Sequence, residues 1–306
     1  MPTHPVPPPP PARREDVVDV VHGEAIADPY RWLEDGDSPE VLAWSAAQTE
    51  RTERALAARP GYGALTRRLE QLLRVGAVEP PAVVGTSGGC AGQYFHRRQA
   101  PEQNQPVLFV RTGQAGADRV LLDPNALAAD ATTSVDWWCP SWDGRFVAYG
   151  LSEGGDEDST LRVLDVATGR DLPDTEIISR ARYATIAWLP DSSGFYYARY
   201  PAEGTVPPGE EHYHRRIFFH RVGRSPEGDV EVFGAGRAMT DTPSIDVSPN
   251  GRWLVCSVHM GWSRREVFLA DRALGADAPS FAPLAIPDAD AVFEVAPYDD
   301  HLLVRS

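Results

Sequence analysis

The sequence predicts a mainly β fold, a β-propeller preceded by a helical segment. Two observations carry that reading. After Val78 the chain changes from helical patterning to short runs rich in Val, Tyr, Phe and Trp, set between Gly, Asp, Asn and Pro. Within this second part, a tight turn followed by an apolar strand recurs as AGQYFHRR (91–98), DGRFVAYG (143–150), SSGFYYARY (192–200), NGRWLVCSV (250–258) and DDHLLVRS (299–306). The leading apolar residues of these strands, Tyr94, Phe146, Phe195, Trp253 and Leu302, lie 52, 49, 58 and 49 residues apart. A period of about fifty residues with several strands in each is the mark of propeller blades, and residues 76–306 hold four to five of them. Further strands at TLRVLDVATGRDL (160–172), RRIFFHRVG (215–223) and REVFLADRA (265–273) make each blade an antiparallel meander.

The stretch before the repeats divides in two. Residues 1–27 open with the run Pro7 to Pro11, which favours an extended, solvated tail. Residues 28–75 read as helical. Ser38 is a candidate N-cap, Pro39 takes the first helical position, and Val41, Leu42, Trp44, Ala55 and Leu56 form an apolar stripe before Pro60 and Gly61 end the helix. A second helix follows, with Leu65, Leu69, Leu72 and Leu73 at helical spacing.

Composition narrows the function classes. The chain has 306 residues, 29 basic against 44 acidic, and a net charge of −15; every one of the 29 is arginine. Such a chain repels nucleic acid and anionic membrane surfaces, so neither is expected as a partner. The cysteines, Cys90, Cys139 and Cys256, stand apart, suggesting neither disulfides nor a metal site, and no cofactor is expected. No apolar run resembles a signal segment or a membrane span, and a cytoplasmic protein is expected.

A family resemblance appears at Asp28–Asp35, DPYRWLED, continued by SPEVLAW and AQTERTERAL. QYFHRRQAPEQNQPVLFVR (93–111), WDGRFVAYGLSEGGDEDSTLRVLDVATGRDLPD (142–174), IAWLPDSSGFYYARYP and RRIFFHRVG follow in the same order. These blocks resemble the prolyl oligopeptidase family of serine peptidases. The resemblance implies a seven-bladed type of propeller, of which 76–306 would be part. It also implies that 28–75 is the N-terminal helical segment of an α/β-hydrolase domain otherwise absent from the chain. That domain would be the propeller's intramolecular partner and would carry the whole Ser, Asp and His triad, so no catalytic residue is assigned here and the chain alone should be inactive. The implied substrates are short proline-containing peptides, cut after proline by acyl-enzyme chemistry, with the propeller gating access. Two other readings stay open: an oligopeptidase B-like peptidase cutting after Arg or Lys, and a non-catalytic propeller that binds peptides or proteins.

Candidate site residues are few. GTSGG (85–89) matches the G-x-S-x-G nucleophile elbow at Ser87, but an elbow needs a strand before it and a helix after it. Here an aromatic strand follows, so Ser87 reads as turn chemistry. EEHYHRR (210–216) offers His212 and His214, which would share a face on a strand, yet a solvated loop is the simpler reading. By resemblance, Tyr183 and Trp262 line the substrate pocket on the hydrolase side, Tyr183 stacking on a proline-like ring. Arg180, Arg182 and Arg264 nearby are candidates to meet peptide carboxylates.

Overall fold

The computed structural model describes residues 8–85, 92–127, 132–173, 176–274, 279–284 and 293–305. Internal contacts divide the chain into two compact units, residues 1–75 and 76–306.

In the first unit, β1 (Val18–Val21) pairs antiparallel with β2 (Glu24–Ala27), from Val18 opposite Ala27 to Val21 opposite Glu24. This hairpin lies inside the span read as an extended tail. Its cause is local: two apolar-alternating tetrads flank His22 and Gly23, whose φ values of 54° and 87° are those of a tight hairpin turn. The backbone N–H groups of Asp28 and Glu15 close its base on Val17 and Pro29, at 2.9 and 3.0 Å. Helix α1 (Pro39–Ala57) starts where expected, the Ser38 hydroxyl accepting from the Val41 N–H at 3.3 Å. Gly61, at φ 85°, turns the chain into α2 (Tyr62–Leu73). Trp32 and Trp44 pack edge to face at 6.2 Å, and the Arg13 guanidinium reaches Glu40 at 3.0 Å. Only Val41 of the two helices is buried, while Leu42, Leu56, Leu65, Leu69, Leu72 and Leu73 stay exposed. The apolar stripes form but find no cover within this unit.

The second unit is a row of five antiparallel sheets. The first has five strands: β3 (Ala77–Val78), β4 (Ala82–Val84), β5 (Gln93–Gln99), β6 (Val107–Thr112) and β7 (Arg119–Leu122). Three four-stranded meanders follow in chain order. They are β8 (Ser134–Pro140), β9 (Phe146–Ser152), β10 (Thr160–Asp165) and β11 (Arg170–Asp171); β12 (Ile186–Trp188), β13 (Gly194–Arg199), β14 (Arg216–Arg221) and β15 (Val230–Phe233); and β16 (Thr242–Val247), β17 (Trp253–Met260), β18 (Arg264–Asp271) and β19 (Ala282–Pro283). The fifth sheet has two strands, β20 (Glu294–Tyr298) and β21 (His301–Arg305). The sheets do not close into a ring. Tyr94, Phe146, Phe195, Trp253 and Leu302 fall on β5, β9, β13, β17 and β21, the same strand of each successive blade.

The core explains why these strands read as continuous apolar runs. Side chains alternate faces along a strand, and a blade has a neighbour on each face, so both faces are buried. On β9, Val147 and Tyr149 pack toward the first blade while Phe146 and Ala148 pack toward the third. On β13, Phe195 and Tyr197 face the second blade, and Tyr196 and Ala198 face the fourth. On β17, Leu254, Cys256 and Val258 face back and Val255 faces the fifth blade. Among these, Ala148, Phe195, Tyr196, Tyr197, Leu254 and Cys256 have no exposed surface. Deleting one such aromatic side chain costs about 3–5 kcal/mol.

Candidate functional site

Antiparallel strands alternate in direction, so every second connection returns to the same end of the sheets. One end carries the tight turns that open β9, β13, β17 and β21. The other end carries the longer connections, with residues 153–159, 172–173, 176–185, 200–215 and 234–241, and the short turn 261–263. Strain collects there. Glu157, Arg180, Tyr183 and His214 hold φ values of 59°, 62°, 50° and 60°, a region that costs a non-glycine residue on the order of 1–3 kcal/mol.

Polar contacts between connections hold these residues in place. The Tyr183 hydroxyl donates to the Glu157 carboxylate, which also takes Arg182 at 2.7 Å. The Tyr183 hydroxyl first, and then Arg182, holds the Glu157 carboxyl below its usual range. Arg182 also lies over the Tyr183 ring at 5.1 Å. The Tyr183 ring remains half exposed, and its carbonyl accepts from the Arg215 guanidinium. Arg180 bridges neighbouring connections, reaching Asp158 at 3.6 Å, the Pro201 carbonyl at 3.1 Å and the Glu211 carbonyl.

Tyr183 and Trp262 thus occupy the same end of the propeller, Tyr183 on the β11–β12 connection and Trp262 on the β17–β18 turn. They are not in contact; Trp262 is fully exposed. The arginines proposed to meet a carboxylate are already engaged with the chain's own acids, Arg180 with Asp158, Arg182 with Glu157 and Arg264 with Glu266 at 3.8 Å. His212 and His214 do not lie on a strand, since β14 begins at Arg216. The His214 ring meets the Glu210 carboxylate at 2.6 Å, and His212 packs edge-on to Tyr200. Among the described residues, no group of three or more His, Cys, Asp or Glu is arranged to hold a metal ion. Ser87 lies outside the described residues; Gly85 before it has φ 70° and donates its N–H to the Trp142 carbonyl at 3.0 Å. No helix among the described residues is long and apolar enough to cross a membrane.

Sequence reasoning missed a cationic cluster at this end. Arg215, just before β14, is 7% exposed, and His259 at the end of β17 and Arg265 on β18 stand close to it. Arg215 and Arg216 are a doublet whose members point to opposite environments: Arg216 pairs with Glu231 at 2.8 Å near the surface, while Arg215 is enclosed. Only the phase of the strand separates them, and a doublet carries no signal of phase. At the opposite end, a groove of about 250 Å³ is lined by Val84, Cys139, Trp142, Trp188 and Asp246. Burial pushes the Cys139 thiol up to about 12 and raises the Asp246 carboxyl above its usual range.

Comparison with known proteins gives this architecture its place. Residues 9–306 match the family model of the prolyl oligopeptidase N-terminal β-propeller domain. A prolyl endopeptidase of Elizabethkingia meningoseptica is 30% identical over 255 residues, which is 83% of this chain and 35% of that enzyme. A dual-function macrocyclase-peptidase of Galerina marginata is 27% identical, over 79% of this chain and 36% of its own. A solved structure from a study of two prolyl endopeptidases superimposes with a TM-score of 0.85 at 33% identity, covering 96% of this chain and 42% of that one. A prolyl oligopeptidase B of Galerina marginata, bound to a 35-residue substrate, has the same fold, with a TM-score of 0.77 at 22% identity over 96% of this chain and 44% of its own. The chain spans little more than a third of the curated relatives, and the stretch matched is their propeller part, not their catalytic domain. On sequence and on fold alike, the chain belongs to the prolyl oligopeptidase family, through that family's N-terminal β-propeller.

Proposed function

We propose that this chain is the N-terminal part of a serine endopeptidase that cleaves short peptides after proline, its propeller gating access to a catalytic domain supplied by the rest of such an enzyme. The observation that carries the reading is the family match over residues 9–306, with relatives that are prolyl endopeptidases. In this reading 1–27 leads into the helical segment 28–75, which joins the hydrolase domain. The exposed leucines of α1 and α2 support that, being an apolar face with no cover in their own unit. The end bearing Tyr183 and Trp262 meets the peptide: the half-exposed Tyr183 ring, fixed by Glu157 and Arg215, is rigid enough to pack on a pyrrolidine ring. A cytoplasmic location goes with this reading.

The test is to assay the 306-residue chain alone, and then the chain put in place of the matched stretch of the Elizabethkingia relative, a fusion in which that relative supplies the remaining blades and the catalytic domain, on a chromogenic proline peptide and on its arginine counterpart. The expected result is no turnover by the chain alone, and restored cleavage after proline by the fusion, for short peptides but not for a folded protein. Turnover by the chain alone that vanishes in Ser87→Ala would overturn the reading, as would a fusion that digests folded protein.

A further inference from the structure

The cationic cluster has no acid. Arg215 is 93% buried by its 7% exposure, its Nη2 donates to the Tyr183 carbonyl, and its buried Nε has no hydrogen-bond partner. Arg265 repeats the pattern: Nη1 donates to the Phe293 carbonyl at 2.6 Å, Nη2 lies 3.4 Å from His259 Nδ1, and the buried Nε has no partner. Among the described residues no carboxylate pairs with either arginine. Acids on the same two sheets pair with other arginines: Glu231 through one oxygen with Arg216, and Glu266 and Asp241 with Arg237.

This arrangement is expensive. A buried guanidinium without a counter-ion loses its hydration and gains little in return, at several kcal/mol in real proteins. Burial pushes Arg215 below the ordinary arginine range; burial, then Arg265 and Arg215, push His259 down as well. Elsewhere this acidic chain surrounds its arginines with carboxylates, with Arg13, Arg31, Arg237 and Arg252 each serving two acids or more. Two guanidiniums that both act on His259, each with an unpartnered Nε–H, in a chain with surplus acids, make a cluster that lacks a counter-ion of its own.

We propose that Arg215, Arg265 and His259 form a receptor for the carboxylate of a short peptide. This rests on the reading that peptides reach this end of the propeller. The guanidiniums of Arg215 and Arg265, which have no carboxylate of their own, supply the positive charge and charge-assisted hydrogen bonds, and Tyr183, held through its carbonyl by the same Arg215, gives the neighbouring residue of the peptide an aromatic wall. The site takes a carboxylate, from a peptide's C-terminus or an acidic side chain, in preference to a neutral amide.

The test titrates the full chain by calorimetry with three probes: acetyl-Gly-Pro carrying a free carboxylate, the same dipeptide as its amide, and inorganic phosphate. The expected result is that the acid binds at least about tenfold more tightly than the amide, which is about 1.4 kcal/mol. The difference should disappear in Arg215→Met, persist in part in Arg215→Lys, and shrink with added salt. Should Arg215→Met unfold, as its melting curve would report, Arg265→Gln serves instead and is expected to remove most of the preference. Equal binding of acid and amide overturns the carboxylate receptor while leaving peptide binding intact. Binding of neither peptide overturns both, and phosphate binding as tightly as the acid overturns the claim that the site reads peptides.

Discussion

At the residue scale, Asp246 shows how a propeller can hold an unfavourable charge. It lies on β16, an innermost strand, where solvent reaches it, yet the walls of the groove around it raise its carboxyl above the usual range. No ion pair involves it among the described residues, so burial acts alone. A carboxyl whose folded value exceeds its unfolded value destabilises the fold above that folded value and has no effect below the unfolded one. Asp246→Asn should therefore raise the melting temperature at neutral pH, and the gain should fade as pH drops into the carboxylate range. Melting curves of the two proteins across that range check it; a constant gain at every pH would assign the effect to packing and not to charge. Arg215 is the converse case, a buried charge without its partner, and nothing local in EEHYHRR sets it apart from Arg216. Whether a charge is buried depends on which blade lies across from it, and that information sits far along the chain, at His259 on β17 and Arg265 on β18.

At the element scale, the second and fourth blades carry the same small device before their second strand. Before β9, the Ser141 hydroxyl reaches Asp143 at 2.8 Å and accepts from the Phe146 N–H at 3.0 Å, while Asp143 accepts from the Arg145 N–H at 3.0 Å. Before β17, Ser248, Asn250, Arg252 and Trp253 make the same three bonds at 2.6, 2.9 and 3.1 Å for the corresponding hydroxyl–side-chain, strand N–H and arginine N–H contacts. Gly144 and Gly251 follow with φ of 72° and 73°, a turn residue only glycine takes at low cost. Ser248 has no exposed surface, so Ser248→Ala leaves the Trp253 N–H without its acceptor and should cost about 1–3 kcal/mol, read from urea denaturation with an unchanged slope. This device is why the blades were legible: it is spelled by neighbouring residues, so DGRF and NGRW announce their strands without any knowledge of tertiary structure. The N-terminal hairpin was legible for the same reason, in VDVV-HG-EAIA, but the adjoining proline run outweighed it. The long connections that build the candidate site have no such spelling. Glu157, Arg180, Tyr183 and His214 take left-handed backbone because contacts between connections impose it, and no residue type announces that.

At the scale of the whole molecule, a row of blades leaves two surfaces that a closed ring would bury. The fifth sheet shows the consequence. It has two strands, its buried anchor is Val295 against Val255 and Val267, and Tyr298, Leu303 and Val304 are exposed at 59, 60 and 50%. Among the described residues β21 pairs with β20 on one side only, so its other edge offers N–H and C=O groups beside apolar side chains, the combination that recruits a strand from another chain. The opposing influence is net charge: −15 disfavours close approach of two copies, but at physiological salt its reach is only about 8 Å, too short to protect an edge once two copies meet. The isolated chain is therefore expected to self-associate, more at high salt than at low. A charge on the edge strand is the natural remedy, so Val304→Lys should reduce association at a cost of no more than about 0.5 kcal/mol of stability, since the side chain is already half in solvent. Light scattering against concentration, at two salt concentrations, separates the outcomes. Association that falls in Val304→Lys assigns the contact to β21, and association untouched by that change assigns it to another surface, the uncovered leucines of α1 and α2 being the next to alter.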